Sequence, residues 1–225
     1  MNSFYDAHRL PLRALFTLLA RTHAEGVEHM PATGGVVLVS NHLSWLDPWL
    51  LGVHFPRPLL FLAKEELFAF KPLGWYLQKA GTFPIRRGES DRNALRYAET
   101  LLRDGNVVMV FPEGHRSDSG GAQAPRAGAV LLAARSGTPI LPVGIAGSEN
   151  LRLKHLPGHA RLGILSWPKV TVRVGQPIYV DRAGGGKARK HAADLVMRNI
   201  VTLLPPEYHG VYAESTREPS ASTVH

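Results

Sequence analysis

Two hydrophobic periods alternate along the chain and predict strands and helices in succession from residue 34 onward. Short apolar runs, rich in β-branched residues and bounded by Gly or Pro, predict buried strands at 34–40, 58–63, 106–112 and 139–147. A short extended segment and an alternating stretch add strands at 81–88 and 169–180. Apolar residues three and four apart predict helices at 90–105, 127–137 and 186–206. Strands separated by helices predict an α/β fold, with a central, mostly parallel (mixed) sheet flanked by helices.

A helical pattern also covers residues 10–21, ahead of the first predicted strand. Pro11 suits the first position of a helix. The apolar residues that follow form one stripe, made of Leu12, Leu15, Phe16 and Leu19. The segment therefore predicts an N-terminal amphipathic helix. Its stripe is explained either by packing on the domain's own core or by a place in a membrane interface, with Arg13 near anionic headgroups.

The pattern divides the chain into three parts. Residues 1–30 hold the amphipathic helix, residues 31–206 form the α/β domain, and residues 207–225 form a polar tail that we expect to be disordered. No apolar run reaches the roughly 20 residues that a transmembrane helix needs. The N-terminal segment lacks a cleavage site between small residues, so we expect it to be retained rather than removed as a signal peptide.

Composition and charge narrow the classes of function. The chain has 26 Lys and Arg against 18 Asp and Glu, and its net charge of +8 indicates an anionic partner, which is nucleic acid, a membrane surface or a phosphorylated substrate. It has no Cys, which excludes disulfides, thiolate metal sites and Cys nucleophiles. The 11 His show no metal-ligand spacing, and the glycine-rich nucleotide motifs and the Gly-x-Ser-x-Gly motif are missing. We therefore expect neither a metal nor a cofactor.

The clearest candidate for catalysis follows the first predicted strand. His42 stands just past the strand end, where α/β sheets place their sites, and Asp47 comes five residues later. If the turn between them is not a continuous helix, the carboxylate reaches the imidazole ring and fixes its tautomer. Asp47 followed by Pro48 is equally typical of an ordinary helix start. Since no Ser or Cys is an evident nucleophile, the pair indicates a base acting on a substrate hydroxyl, without a covalent enzyme intermediate.

Two further clusters, each at a predicted strand end, offer groups for an anion. Glu113, Gly114 and Arg116 combine a tight turn with a guanidinium fork, and the alternative is a solvated turn with an internal ion pair. Arg86 and Arg87 are adjacent and suit a phosphate monoester acceptor, and the alternative is a solvated surface.

These clusters, in this order and spacing, resemble the 1-acylglycerol-3-phosphate acyltransferase family of glycerolipid acyltransferases. The resemblance covers residues 30–180 and rests on four blocks, which are Asn41-His42 with Asp47-Pro48, Gly81 to Arg87, Phe111 to Ser117, and Leu141-Pro142-Val143. It implies an enzyme of phospholipid biosynthesis. Such an enzyme moves a fatty acyl group from acyl-CoA or acyl-acyl carrier protein to the hydroxyl of lysophosphatidic acid, giving phosphatidic acid.

The resemblance also assigns roles to individual residues. His42 is the general base, and Asp47 orients it. The substrate-phosphate group comprises Arg87, Glu113, Gly114, Arg116 and Arg86. Within it, Glu113 orders the loop, and Arg86 sits where the family varies. Pro142 shapes the acyl-donor side.

Two positions depart from the family's pattern. His115 stands where the third block usually has Thr, which removes a hydroxyl and suggests a different acceptor. Pro125 and Arg126 stand where the family tends to have Phe and Lys, so the charge is kept and the aromatic ring is lost.

The resemblance leaves several activities to compare. The acceptor is lysophosphatidic acid or another hydroxyl compound, such as a lyso-ornithine lipid, glycerol 3-phosphate or another lysophospholipid. Water in place of the alcohol gives a thioesterase, and loss of catalysis gives a membrane- or nucleic-acid-binding module. We expect acyl-CoA or acyl-acyl carrier protein, a lysophospholipid and a membrane surface as partners, and no nucleic acid. The expected location is peripheral, on the cytoplasmic face of the cell membrane, which favours the interfacial interpretation of the N-terminal helix.

Overall fold

The computed structural model describes residues 3–79, 82–85, 91–117, 119–151, 168–181 and 185–214, which form one central sheet covered by helices. Its strands are β1 (His23–Glu25), β2 (Val36–Ser40), β3 (Leu59–Lys64), β4 (Thr82–Ile85), β5 (Val107–Val110), β6 (Ile140–Ala146) and β7 (Thr171–Val174). Its α-helices are α1 (Ser3–Ala20), α2 (Asp47–His54), α3 (Lys71–Lys79), α4 (Asp91–Arg103), α5 (Gly128–Ser136) and α6 (Gly186–Thr202). Short 3-10 helices lie at Val27–His29, Glu65–Phe68, Ser148–Asn150, Pro206–Tyr208 and Gly210–Tyr212.

The sheet has the strand order β1-β7-β6-β2-β5-β3-β4. Within the described part of the chain, β6 and β7 pair antiparallel and every other neighbouring pair is parallel. The predicted mostly parallel, mixed sheet is therefore confirmed. Because β2, β3, β4, β5 and β6 run in the same direction, their carboxyl ends meet at one edge, which is where this class of sheet places its sites.

The central strand β2 is buried along its whole length, as its unbroken apolar run predicts. Val37 and Val39 face a core that includes Leu102 of α4, Leu132 of α5 and Met197 of α6. On the other face, alternate residues of β2 join a second core, which includes Leu50 and Leu51 of α2 and Phe55 just after it. Fully burying one such side chain contributes about 1.5–3 kcal/mol, so both faces hold β2 in place.

The N-terminal helix differs from the prediction at its start. It begins at Ser3, and Pro11 lies inside it rather than at its first position. A proline inside a helix removes one backbone hydrogen bond. Phe16 and Ala20 of the following turns pack on the second core, which secures the helix beyond the proline. The segment 1–30 is also less separate than expected, because β1 pairs with β7 at the edge of the sheet.

Helix α1 lies against α2 through polar as well as apolar contacts. Arg9 Nη1 donates to the Phe55 carbonyl at 2.6 Å. His54 is buried in the last turn of α2, and neither of its ring nitrogens has a partner among the described residues. Burial, reinforced by the charges of Arg13 and His23, lowers the pKa of His54 from 6.5 to about 4. This histidine is therefore neutral in the folded protein at neutral pH.

Two expectations about the C-terminal half are corrected. The strand expected over 169–180 is limited to β7, because Pro177 has no N–H for a ladder, although Ile178 still exchanges two backbone bonds with Ile140. Disorder from residue 207 onward is wrong for residues 207–214. These residues form 3-10 turns, and Tyr212 is only 3% exposed against the first core. Residues 215–225 lie outside the described chain.

Candidate active site

His42 and Asp47 meet in the loop of residues 41–46 that follows β2. His42 Nδ1 lies 2.8 Å from Asp47 Oδ2. The loop has no regular structure until α2 begins at Asp47, with Pro48 next to it. The carboxylate thus reaches back to the imidazole. Asp47 is also the first residue of α2, but the expected N-cap role is not seen, because the N-cap residue is Leu46 and its side chain makes no capping bond.

The carboxylate of Asp47 holds the loop as well as the ring. Its Oδ2 accepts hydrogen bonds from Leu43 N at 2.7 Å and from Ser44 N at 2.8 Å, and the side chain is fully buried. Because Oδ2 is a pure acceptor, the network assigns the imidazole proton to Nδ1 of His42. The lone pair is then on Nε2, which has no partner among the described residues.

The ring of His42 is fixed from one side by an aromatic residue. Phe111 stacks on it with a centroid distance of 3.9 Å and an interplanar angle of 14°. The histidine side chain keeps 16% of its surface exposed. A ring that is held at Nδ1 and on one face, with Nε2 free, is arranged to take a proton from a bound hydroxyl.

Asn41 ties the start of this loop to the neighbouring strand β6. Its Oδ1 accepts from Ile145 N at 2.8 Å, and its Nδ2 donates to the Ile145 carbonyl at 2.9 Å. The amide thus continues the ladder between β2 and β6 where the backbone of β2 turns away. From the sequence, Asn41 is part of the first block and has no role of its own. Its position between the predicted strand and His42 is the signal that could have indicated this contact.

Glu113 lies beneath the loop that follows β5, residues 111–117, with its carboxylate turned inward. Oε1 accepts from His42 N and Oε2 from Gln123 N, each at 3.2 Å. Burial raises the pKa of Glu113, although the two backbone bonds and the charges of His42 and His115 act in the opposite direction. Both oxygens of this carboxylate thus accept backbone hydrogen bonds, one from the loop after β2 and one from Gln123.

Exposed basic side chains lie on this loop and shortly after it. Gly114 adopts a φ of +77°, and the Nε atom of Arg126 lies 3.0 Å from the position that a Cβ would occupy there. Arg116, Arg126 and His115 are exposed. Guanidinium groups are thus exposed to solvent beside the turn that Gly114 makes.

Pro142 lies in the sheet next to the site. Pro142 is buried within β6, opposite Val39, and its carbonyl accepts from Gly175 N at 2.9 Å. It is part of the sheet rather than of the loops. Arg86 and Arg87 lie outside the described residues.

Comparisons with known proteins bear directly on this arrangement. A protein-family model described as Acyltransferase matches residues 21–146. The chloroplastic 1-acyl-sn-glycerol-3-phosphate acyltransferase BAT2 of Brassica napus is 31% identical over 166 residues, which cover 72% of this chain and 46% of that protein. The 1-acyl-sn-glycerol-3-phosphate acyltransferase of Bacillus subtilis is 30% identical over 141 residues, which cover 62% of this chain and 69% of that protein.

Two further similarities concern the acceptor and the fold. A lyso-ornithine lipid O-acyltransferase of Pseudomonas aeruginosa is 38% identical over 110 residues, 48% of this chain and 42% of that protein. The crystal structure of the 1-acyl-sn-glycerophosphate (LPA) acyltransferase PlsC from Thermotoga maritima matches with a TM-score of 0.68 at 28% identity, over 88% of this chain and 79% of that one. The chain spans about half the length of the chloroplastic relatives that it matches.

Proposed function

The chain belongs to the acyltransferase family, and on that premise we propose that it moves a fatty acyl group from acyl-CoA or acyl-acyl carrier protein to the free hydroxyl of lysophosphatidic acid. The products are phosphatidic acid and a free thiol. The single observation that carries the proposal is the 2.8 Å contact between His42 Nδ1 and Asp47 Oδ2, which leaves Nε2 free.

The proposed reaction uses His42 first as a base and then as an acid. Nε2 takes the proton of the acceptor hydroxyl as its oxygen attacks the thioester carbonyl carbon. The tetrahedral intermediate collapses, the C–S bond breaks, and the thiolate leaves with the proton that the imidazolium returns. Asp47 stabilises the imidazolium between the two steps, because its buried carboxylate lies against Nδ1.

We assign the acceptor phosphate to exposed guanidinium groups. Arg116 is exposed at the turn made by Gly114, and a fork of N–H donors fits two phosphate oxygens at once. Arg87, with Arg86 beside it, is the second proposed contact and rests on the sequence alone. Pro142 remains a proposed contributor to the acyl-donor side, acting through the sheet that supports the site.

A pair of histidine variants tests the base. We expect His42→Ala to lower kcat by about 10²–10⁴, measured as thiol release from acyl-CoA in the presence of lysophosphatidic acid. The matched control is His191→Ala, because His191 is exposed on α6, outside the loops that follow β2 and β5. A fully active His42→Ala protein would remove the proposed base. Thiol release that ignores added acceptor would instead indicate a thioesterase.

A second acceptor is favoured by one finding, the similarity to a lyso-ornithine lipid O-acyltransferase. An ornithine lipid carries no phosphate, so the two acceptors place different demands on Arg116. We expect Arg116→Ala to raise KM for lysophosphatidic acid and to leave KM for lyso-ornithine lipid unchanged. A wild type that acylates only the ornithine acceptor would transfer the proposal to that lipid. Glycerol 3-phosphate and other lysophospholipids complete the screen.

We also propose that the protein acts peripherally on the cytoplasmic face of the cell membrane, with α1 in the interface. Leu10 and Leu18 of α1 are 62% and 60% exposed, and Leu15 is 46% exposed between them. Leu12 and Phe16 are half-buried on the opposite side. Within the predicted stripe, Leu15 thus supports the interfacial explanation, whereas Leu12 and Phe16 support packing on the core; Leu10 and Leu18 lie outside that stripe. Among the described residues, no helix combines the length and apolarity needed to cross a bilayer.

Substitution tests this surface better than truncation, because removal of the N-terminal segment would also remove β1 from the sheet. We expect Leu10→Glu with Leu18→Glu to reduce flotation with anionic liposomes, since apolar contact and headgroup attraction both hold an interfacial helix. Leu195→Glu is the control, because Leu195 lies on α6 and is 48% exposed. Unchanged flotation of the α1 variant would refute the interfacial position.

A further inference from the structure

Tyr208 joins the C-terminal turns, Pro206–Tyr208 and Gly210–Tyr212, to the carboxyl end of β6. Its hydroxyl donates to Glu149 Oε1 at 2.7 Å and accepts from Gly147 N at 3.1 Å. Burial, together with the bond to Glu149 and its charge, raises the pKa of Tyr208 to about 12. The hydroxyl is therefore a permanent donor at neutral pH, and it fixes the C-terminal turns to the edge of the sheet that bears the site.

The backbone of the same turns holds the loop of residues 119–123. Ala122 N donates to the Tyr208 carbonyl at 2.9 Å, and the Ala122 carbonyl accepts from Val211 N at 3.1 Å. Gly121 and Gly210 meet closely, because a Cβ added at Gly121 would lie 2.7 Å from the Gly210 Cα. Two backbone hydrogen bonds therefore hold the loop against the C-terminal turns, and the close contact leaves no room for a side chain at Gly121.

The 119–123 loop in turn holds the loop that supports His42. Gln123 N donates to Glu113 Oε2, and Ser117 Oγ donates to the Gly121 carbonyl at 2.7 Å. Glu113 and Ser117 in turn bind both backbone groups of His42. Its N–H donates to Glu113 Oε1, and its carbonyl accepts from Ser117 N at 2.8 Å. A continuous set of hydrogen bonds thus runs from Tyr208 to the backbone of the proposed base.

We propose that Tyr208 and Glu149 are positioning residues for His42. They touch neither substrate nor reacting atoms, and they act by seating the 119–123 loop on which Glu113 and Ser117 depend. Both residues lie beyond the range 21–146 that the family model matches. The expected effect of these two residues on turnover rests on the proposed function, whereas their effect on the 119–123 loop is independent of any activity.

Two tyrosine variants separate positioning from stability. Tyr208→Phe keeps the ring and the backbone carbonyl but removes the hydroxyl. Tyr212→Phe is the matched control, because the Tyr212 hydroxyl also donates to a carboxylate, Asp194 Oδ1 at 2.9 Å, but joins the C-terminal turns to α6 instead. We expect Tyr208→Phe to lower kcat at least about tenfold with KM for acyl-CoA unchanged, and Tyr212→Phe to keep the wild-type kcat.

Hydrogen exchange gives the readout that does not depend on activity. We expect the amides of Ala122 and Gln123 to exchange about tenfold faster in Tyr208→Phe and at the wild-type rate in Tyr212→Phe. Glu149→Gln keeps an oxygen acceptor for the tyrosine, so its kcat and its amide exchange should stay near wild type. Glu149→Ala should change both. If Tyr208→Phe does not fold, Glu149→Ala takes its place in the comparison.

The outcomes are distinct. Equal exchange at Ala122 and Gln123 in the two tyrosine variants overturns the positioning role, whatever the activity. Faster exchange with an unchanged kcat overturns the link to His42. A wild type that is inactive on every acceptor refutes the proposed function, and the exchange comparison then still decides whether Tyr208 seats the loop.

Discussion

Replacing Asp47 with Asn separates the two tasks of this carboxylate, since the amide keeps its shape and loses its charge. In the wild type Oδ2 accepts from Leu43 N, Ser44 N and His42 Nδ1. An amide oxygen in the same place accepts all three bonds, so the loop and the tautomer are kept. The negative charge that stabilises the imidazolium is gone, and the variant should fold but turn over slowly.

The size of the effect on stability follows from the partners. In Asp47→Asn, the amide nitrogen takes the place of Oδ1, which has no hydrogen-bond partner among the described residues, so one buried donor is left unpaired at about 1–3 kcal/mol. In Asp47→Ala, the N–H groups of Leu43 and Ser44 both lose their acceptor, which costs about 2–6 kcal/mol in total. Because a domain is stable by about 5–15 kcal/mol, the Asn variant is the informative one.

The assay is thiol release from acyl-CoA with lysophosphatidic acid, combined with urea unfolding of the same samples. We expect Asp47→Asn to lower kcat by about 10²-fold or more, with KM for the acceptor within about threefold, because the lost interaction is made to the imidazolium that forms during the reaction. A folded Asp47→Asn protein with a kcat near that of the wild type would refute the role assigned to the carboxylate.

Three further predictions concern other parts of the structure. The pKa of His54 is about 4 in the folded protein and 6.5 in the unfolded chain, so between these pH values only the unfolded state binds the proton. The free energy of unfolding should therefore fall by about 3 kcal/mol as the pH drops from 6.5 to 4. Urea titrations at these two pH values should show no such loss in His54→Leu. Gly114→Ala and Gly34→Ala both place a side chain at positive φ, at about 1–2 kcal/mol each, but only the first meets Arg126, so kcat/KM should fall further in it than in the Gly34→Ala control. Asn41→Ala leaves a buried N–H and carbonyl of β6 unpaired and should lower the urea midpoint by an amount equivalent to about 2–6 kcal/mol.

The place and the base of the site could be predicted from the sequence for a physical reason. An unbroken apolar run such as Val36–Val39 specifies a strand buried on both faces, and parallel strands deliver their next residues to one edge. His42 follows β2 directly, and Glu113 follows β5, the neighbouring strand in the sheet. Their proximity thus follows from strand order and direction, which the alternation of strands and helices already indicated.

The direction in which Glu113 points could not be predicted in the same way. A turn of Glu, Gly and Arg is compatible with an outward ion pair, and the inward orientation depends on the N–H groups of His42 and Gln123. Gln123 is brought there by the 119–123 loop, which in turn depends on Tyr208 near the end of the described chain. Contacts of this separation leave no local period, so the sequence assigned that end of the chain to a disordered tail.

The position of charges in the site explains why a basic chain keeps two buried acids at its centre. Asp47 and Glu113 are fully or almost fully buried, on the inner side of His42, whereas Arg116 and Arg126 are exposed on the outer side. Under the proposed function, the buried carboxylates act through a medium of low polarity on the imidazolium that forms during acyl transfer. Under the same proposal, the exposed guanidinium groups attract an anionic acceptor through water, and solvent screens their effect on the buried side of the site. Separation by depth would then let one site stabilise a transient cation within and attract anions outside, which a uniformly basic surface would not do.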